Sequence, residues 1–155
     1  MITSSQNPKL KLVRALAGRP KERREAGAFL AEGARLVEEA LAAGWPIRFA
    51  LYAQGLSERP AQVVEALVRA GVETESVEAG LFNSVSETES SQGILAVLEL
   101  AELPAPKKPT FTLILDKIRD PGNLGTLLRS AQAAGVDLVL IPPETSDPFA
   151  PKVVR

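Results

Sequence analysis

The residues best suited to chemistry lie in one stretch, Leu115-Asp-Lys-Ile-Arg-Asp-Pro-Gly-Asn-Leu-Gly-Thr-Leu-Leu-Arg-Ser-Ala-Gln-Ala-Ala-Gly135. It combines two carboxylates (Asp116, Asp120), one amide (Asn123) and one guanidinium (Arg129). A guanidinium stays protonated at any ordinary pH. Arg129 is therefore suited to orienting a phosphate or hydroxyl and stabilising developing negative charge, rather than to removing a proton. Asn123 either caps a helix or points into a site. Asp120-Pro121-Gly122 reads as a turn, with Asp120 as a turn-former rather than an acid. Gly125 lets a backbone come close to something. Arg129 follows Asn123 by six residues, nearly two helical turns, which sets the pair on roughly one side of a helix. Gly122 and Gly125 match neither the dinucleotide fingerprint nor a Walker A loop.

The rest of the chain narrows the chemistry further. Its 155 residues contain no histidine and no cysteine. That excludes imidazole acids and bases, thiol nucleophiles, disulfides and Cys/His zinc sites. Apolar residues make up 45% and charged residues 24%, enough for a sizeable core. The net charge of −1 hides a gradient: +5 over residues 1–30, −8 over 31–103 and +2 over 104–155. The basic start (Lys9, Lys11, Arg14, Arg19, Lys21, Arg23, Arg24) suits contact with phosphates, the alternative being a solvated helical face. No aromatics interleave these cations, which disfavours base stacking. No secretory signal is seen, and the longest apolar run, Ile94 to Leu98, is far short of a membrane span of about 20 residues. The expected location is cytoplasmic.

The elements that must position these residues can be read from periodicity and breaks. Asn7-Pro8 reads as an N-cap and first helical residue, with Leu10, Val13 and Leu16 on one face and Gly18 as the stop. Pro20 to Glu25 is a short basic helix or turn. Ala28 to Ala31 is a short strand. A helix from Gly33 buries Leu36, Val37, Ala40 and Leu41. Strand Ile47 to Tyr52 precedes a helix over Ala61 to Ala70 that turns Val63, Val64, Leu67 and Val68 inward. Val72 to Val77 is a strand, Glu78 to Val85 a short helix, Ser84 to Ser91 a polar loop and Ile94 to Leu100 a strand. This alternation implies a mostly parallel sheet covered by helices. Three prolines in 101–109 mark a stiff linker and domain boundary. Beyond it, strand Phe111 to Leu115, helix Thr126 to Ala134 (Leu127, Leu128 and Ala131 inward) and strand Val136 to Ile141 form one βαβ unit. The reactive stretch then lies at the carboxyl end of a parallel strand, where open α/β sheets bind ligands.

The stretch resembles motif 1 of the SpoU/TrmH family of RNA ribose 2′-O-methyltransferases, through Asp116, Asp120, Pro121, Asn123, Gly125, Arg129, Ala131 and Gly135. Upstream, Ser5-Gln-Asn-Pro8 with Lys11, Phe29-Leu-Ala-Glu-Gly33 with Arg35-Leu-Val37, and Gln92-Gly-Ile94 with Ala96-Val97 resemble that family's substrate-binding domain. The resemblance implies an α/β protein of two parts. Residues 1–103 would be an L30e-like α/β/α domain that binds RNA. Residues 110–155 would be the first βαβ unit of a SPOUT-type, trefoil-knotted domain that binds S-adenosylmethionine (AdoMet) and dimerises. It further implies Arg129 and Asn123 as catalytic residues. Lys9, Lys11, Arg23, Arg24, Glu32 and Arg35 are the candidates for contact with RNA, ribosomal RNA before tRNA. Glu32 reads alternatively as a carboxylate at a helix start.

The family's later motifs, which carry most donor contacts, are not in the sequence. The expectation is an N-terminal portion of the enzyme, or a shortened form, that alone binds no AdoMet and methylates nothing. The competing expectations are a non-catalytic L30e-like RNA-binding module and an unrelated small α/β nucleotide-binding protein.

Overall fold

A computed structural model describes residues 1–88, 91–101 and 104–155. The chain divides into two units, Met1–Leu100 and Ala101–Arg155. The polar loop expected over 84–91 and the linker expected over 101–109 lie partly outside the described residues.

The first unit runs α1 (Pro8–Ala17), α2 (Pro20–Ala26), β1 (Ala28–Glu32), α3 (Ala34–Ala42), β2 (Ile47–Ala53), α4 (Glu58–Arg69), β3 (Thr74–Val77), α5 (Ala79–Asn83) and β4 (Ile94–Glu99). Asn7 caps α1 as its type and position predict, its Oδ1 accepting from the Lys9 amide at 2.9 Å. Leu10, Val13 and Leu16 are fully buried. They join Leu30, Phe49, Leu51, Val77, Phe82, Leu95 and Val97 in one core.

The sheet order is β1-β4-β2-β3. This corrects the mostly parallel expectation. β4 pairs antiparallel with both β1 and β2, and only β2 and β3 run parallel. Helix–strand alternation reports which faces are buried but not which way a strand enters. After the short α5, the chain returns in the opposite direction and inserts β4 between β1 and β2. A central strand is covered on both faces, which explains the uninterrupted apolar run from Ile94 to Leu98. One side chain of α4 also departs from its expected facing. Val68 is exposed, because α4 buries Pro60, Val63 and Leu67. Ile2 is buried and bridges Val77 in parallel, extending the sheet edge. Trp45 packs edge-on to Phe29 with centroids 5.9 Å apart, while its Nε1 donates to the Glu99 carbonyl at 2.8 Å.

The second unit runs β5 (Thr112–Ile114), α6 (Pro121–Ala133), β6 (Leu138–Leu140) and α7 (Pro151–Val154). β5 and β6 are parallel, with α6 as the crossover, as the pattern predicts. Asp137 ties the two strand starts, its Oδ2 accepting from the Thr110 amide and hydroxyl (both 2.6 Å) and the Phe111 amide (3.0 Å). Leu115, Leu124 and Val153 form a small core. Leu127, expected inward, is exposed, as are Phe111, Ile114 and Leu140. Helix α7 was not expected. It packs on α6, and Gly125 permits this: a Cβ there would lie 2.8 Å from the Val153 carbonyl oxygen. The close approach read from Gly125 is therefore to the chain's own backbone.

Candidate active site

The site is built where β5 ends and α6 begins. Asp120 is extended (φ −79°, ψ 121°) and caps α6, its Oδ1 accepting from the Asn123 amide at 2.7 Å. Pro121 takes the first helical position, where its missing N–H costs nothing. Of the two readings left open for Asn123, the cap is thus filled by Asp120. Among the described residues the Asn123 side-chain amide has no hydrogen-bond partner, and it lines a hollow of about 410 Å³ with Arg119, Asp120 and Thr126.

Arg129 does not line that hollow. Six residues rotate an α-helix to about 120° from the starting direction, so Asn123 and Arg129 do not share a side. Thr126 lies between them. It faces the hollow, and its Oγ1 is 3.5 Å from Arg129 Nη2. Arg129 is exposed and rests against Gly125, whose missing side chain leaves room for the guanidinium.

Sequence reasoning missed the strap that shapes this loop. Lys117 (φ 56°) and Glu144 (φ 72°) are the described non-glycine residues in the left-handed region. Each such residue costs of order 1 kcal/mol and must be held by its surroundings. Here the two residues pair with each other, Lys117 Nζ lying 3.5 Å from Glu144 Oε2. Thr145 Oγ1 donates to the Leu115 carbonyl (2.8 Å), the Ser146 amide to that of Ile118 (2.8 Å), and Ser146 Oγ to that of Arg119. The segment after β6 is thereby laced to the segment after β5. Ser and Thr after Pro142-Pro143 were the only signal, and it is a weak one.

The six candidate RNA-contact residues occupy several environments. Lys11 and Arg24 are exposed. Arg35 is exposed and pairs with Glu39 one turn along α3 at 2.8 Å. Lys9 is engaged: its ammonium meets Glu73 at 2.6 Å and Glu75 at 2.8 Å and sits 5.4 Å from the centre of the Phe49 ring. Two carboxylates already neutralise it, which corrects the expectation of a free phosphate ligand. Arg23 is buried, and its Nη1 donates to the carbonyls of Leu16 (2.6 Å) and Gly18 (3.2 Å). It cannot reach a phosphate from there. The Glu32 carboxylate is engaged by the segment after α5 rather than by the start of α3. Its Oε1 accepts from the hydroxyls of Ser86, Thr88 (2.7 Å) and Ser91 (3.3 Å), and its Oε2 from the Glu87 amide (3.0 Å). The start of α3 is served instead by Gln92, whose Oε1 accepts from the Ala34 amide at 2.8 Å. Among the described residues no group of acidic side chains could hold a metal. No described helix is long and apolar enough to cross a membrane.

Two family models match in order: an MRM3-like substrate-binding domain over residues 7–96 and the SpoU rRNA methylase family over 110–155. This chain belongs to the SpoU/TrmH family. A Bacillus subtilis relative, 23S rRNA (guanosine(2553)-2′-O)-methyltransferase, is 35% identical over 99% of this chain and 59% of its own length. The SpoU methyltransferase AviRb from Streptomyces viridochromogenes, solved with AdoMet, superposes with a TM-score of 0.84 at 29% identity, covering 97% of this chain and 58% of that one. An AdoMet-bound rRNA methyltransferase from Sinorhizobium meliloti gives 0.81 at 34% identity, covering 99% and 58%. This SpoU/TrmH chain spans 57 to 59% of the length of the first two curated relatives it matches.

Proposed function

We propose that this chain belongs to an AdoMet-dependent rRNA ribose 2′-O-methyltransferase. Residues 1–103 would be its L30e-like substrate-binding domain and 110–155 the start of its SPOUT-type methyltransferase domain. The observation that carries the reading is the ordered match of a substrate-binding model and a SpoU methylase model on one chain, and Asn123 and Arg129 in the stretch that resembles motif 1 support it. RNA is the partner, the complete enzyme is a homodimer, and its location is cytoplasmic.

When bound, AdoMet supplies an electrophilic methyl group. The described residues do not enclose such a molecule. The hollow beside Asn123 is open and walled by one loop and the first turns of one helix, so no donor contact is assigned within residues 1–155. What these residues bring is on the RNA side. Arg129, exposed and held only loosely by Thr126, is available to hydrogen-bond a substrate phosphate or ribose hydroxyl and to stabilise charge developing on the 2′-oxygen. A guanidinium offers hydrogen-bond donors and no acceptor, so Arg129 positions and stabilises rather than removing the proton. Asn123 offers an unpartnered amide to orient the nucleotide. Lys11, Arg24 and Arg35 are the expected cations left accessible for the backbone.

The test joins this chain to the remaining part that its relatives carry. Labelled methyl from AdoMet is expected in rRNA at a site resistant to alkaline cleavage, because a methylated 2′-oxygen cannot attack its phosphate. Arg129→Ala and Asn123→Ala are each expected to reduce incorporation at least 100-fold, the scale for losing a transition-state hydrogen bond. Label on a base, or wild-type incorporation by both variants, would overturn the assignment. Calorimetry on residues 1–155 alone is expected to show no AdoMet binding.

A further inference from the structure

Arg23 is the charged side chain buried among the described residues of the first unit, 2% exposed. Removing a guanidinium from water is strongly unfavourable unless its donors are met, and apolar residues of similar volume often serve stability as well or better. Stability alone therefore does not account for an arginine here. Its placement suggests another role. α1 and α2 are joined only by Gly18 and Arg19, a connection that forces a corner. From the middle of α2, Arg23 reaches back to the Leu16 and Gly18 carbonyls at the end of α1. It locks the angle of the corner. It also covers the carbonyl end of α1, which carries partial negative charge.

Five cations face out from this corner, against two exposed carboxylates, Glu22 and Glu25. Lys11 and Arg14 are exposed one turn apart on α1, Lys21 and Arg24 are exposed one turn apart on α2, and Arg19 is exposed at the joint. Arg14 spends one donor on the Ser5 carbonyl at 2.8 Å, and Lys21 has a loose, exposed pairing with Glu25 at 3.6 Å. Neither contact removes the side chain from the surface. We propose that the α1–α2 corner is a surface for the phosphates of RNA, with Arg23 as its positioning residue: buried beneath the cations, it sets their spacing and neutralises the helix end below them. The inference rests on the RNA reading above and deepens it. It replaces Lys9 and Arg23 as contacts by Arg14, Arg19 and Lys21.

The experiment titrates residues 1–155 into a labelled single-stranded oligoribonucleotide across a range of salt. Each phosphate contact contributes about −0.7 to the slope of log affinity against log salt. Arg19→Ala and Arg24→Ala, both at the surface, are expected to flatten the slope by about 0.7 each. Arg23→Met is expected to stay folded by circular dichroism and yet flatten the slope by about 0.7 or more. A buried side chain releases no counterions itself, so a merely structural role would leave the slope unmoved. Adding Arg24→Ala to Arg23→Met is expected to cost less than in the wild type. A folded Arg23→Met protein with the wild-type slope overturns the positioning role. If that variant unfolds, Arg23→Lys takes its place under the same criterion, and unfolding of both also overturns it. Wild-type slopes in Arg19→Ala and Arg24→Ala overturn the surface. Absence of RNA binding by the wild type removes the underlying reading as well, and so is distinguishable from failure of this inference alone.

Discussion

At the residue scale, two neighbours in motif 1 divide their work, although both suit the same task by type. Asp and Asn are both good helix caps, but Asp120 takes the cap and leaves the Asn123 side chain without a partner. Their variants should therefore differ. Asp120→Ala is expected to destabilise the second unit by about 1 kcal/mol. Asn123→Ala is expected to leave stability within about 0.5 kcal/mol of wild type, its cost appearing only in methyl transfer by the complete enzyme. Denaturant melts of both variants in the complete enzyme, where the second unit has its remaining strands, check this; equal destabilisation would mean that Asn123 also holds the helix. Asn123 and Arg129 were legible as candidates because motif order survives in sequence. Arg23 was misread because a cation in a basic run looks the same whether it faces water or folds back onto carbonyls.

At the element scale, the pairing of β2 with β4 carries a pH-sensitive fastening. Arg48 on β2 grips both carboxylate oxygens of Glu99 on β4 at 2.6 Å and also donates to the Ala26 and Gly27 carbonyls. The hydrogen bonds from Arg48 hold the Glu99 carboxyl below the usual range, partly opposed by desolvation. The folded pKa thus lies below the unfolded value of about 4.3. The pair's contribution is present in full above that value and is lost as pH falls through the folded one. Thermal midpoints are expected to drop on acidification below about pH 4.3, and less steeply in Arg48→Met. Parallel curves for the two proteins would show that the pair is not the titrating element. Apart from α7 and the first turn of α6, which begins at Pro121 rather than Thr126, the elements were legible to within a few residues, because glycines, prolines and helical stripes bound them. The direction of β4 was not, since an apolar run carries no sign of strand polarity.

At the scale of the whole molecule, the two units differ in what they bury. Met1–Leu100 has a four-stranded sheet and a continuous core drawn from α1, α5 and all four strands. Ala101–Arg155 has two strands and a core of Leu115, Leu124 and Val153, with Phe111, Ile114, Leu127 and Leu140 exposed. A two-stranded sheet is marginal by itself. Residues 1–100 expressed alone are therefore expected to unfold in one cooperative transition near the midpoint they show in the whole chain. Residues 101–155 alone are expected to show none. Circular dichroism melts of the two pieces decide it, and a broad, non-cooperative melt of 1–100 would refute the independence of the first unit.

The sequence by itself determined the family, the α/β class, the motif 1 residues and the absence of imidazole and thiol chemistry. These depend on residue identity and short-range spacing, which a linear string preserves. Only the tertiary structure decided the antiparallel insertion of β4, the strap that ties Glu144 to Lys117, the rotation that separates Asn123 from Arg129, and which cations face water. Each of these turns on contacts between residues distant along the chain, or on the angle a helix turns through. There, the same residue type is a ligand or a strut according to which way it points.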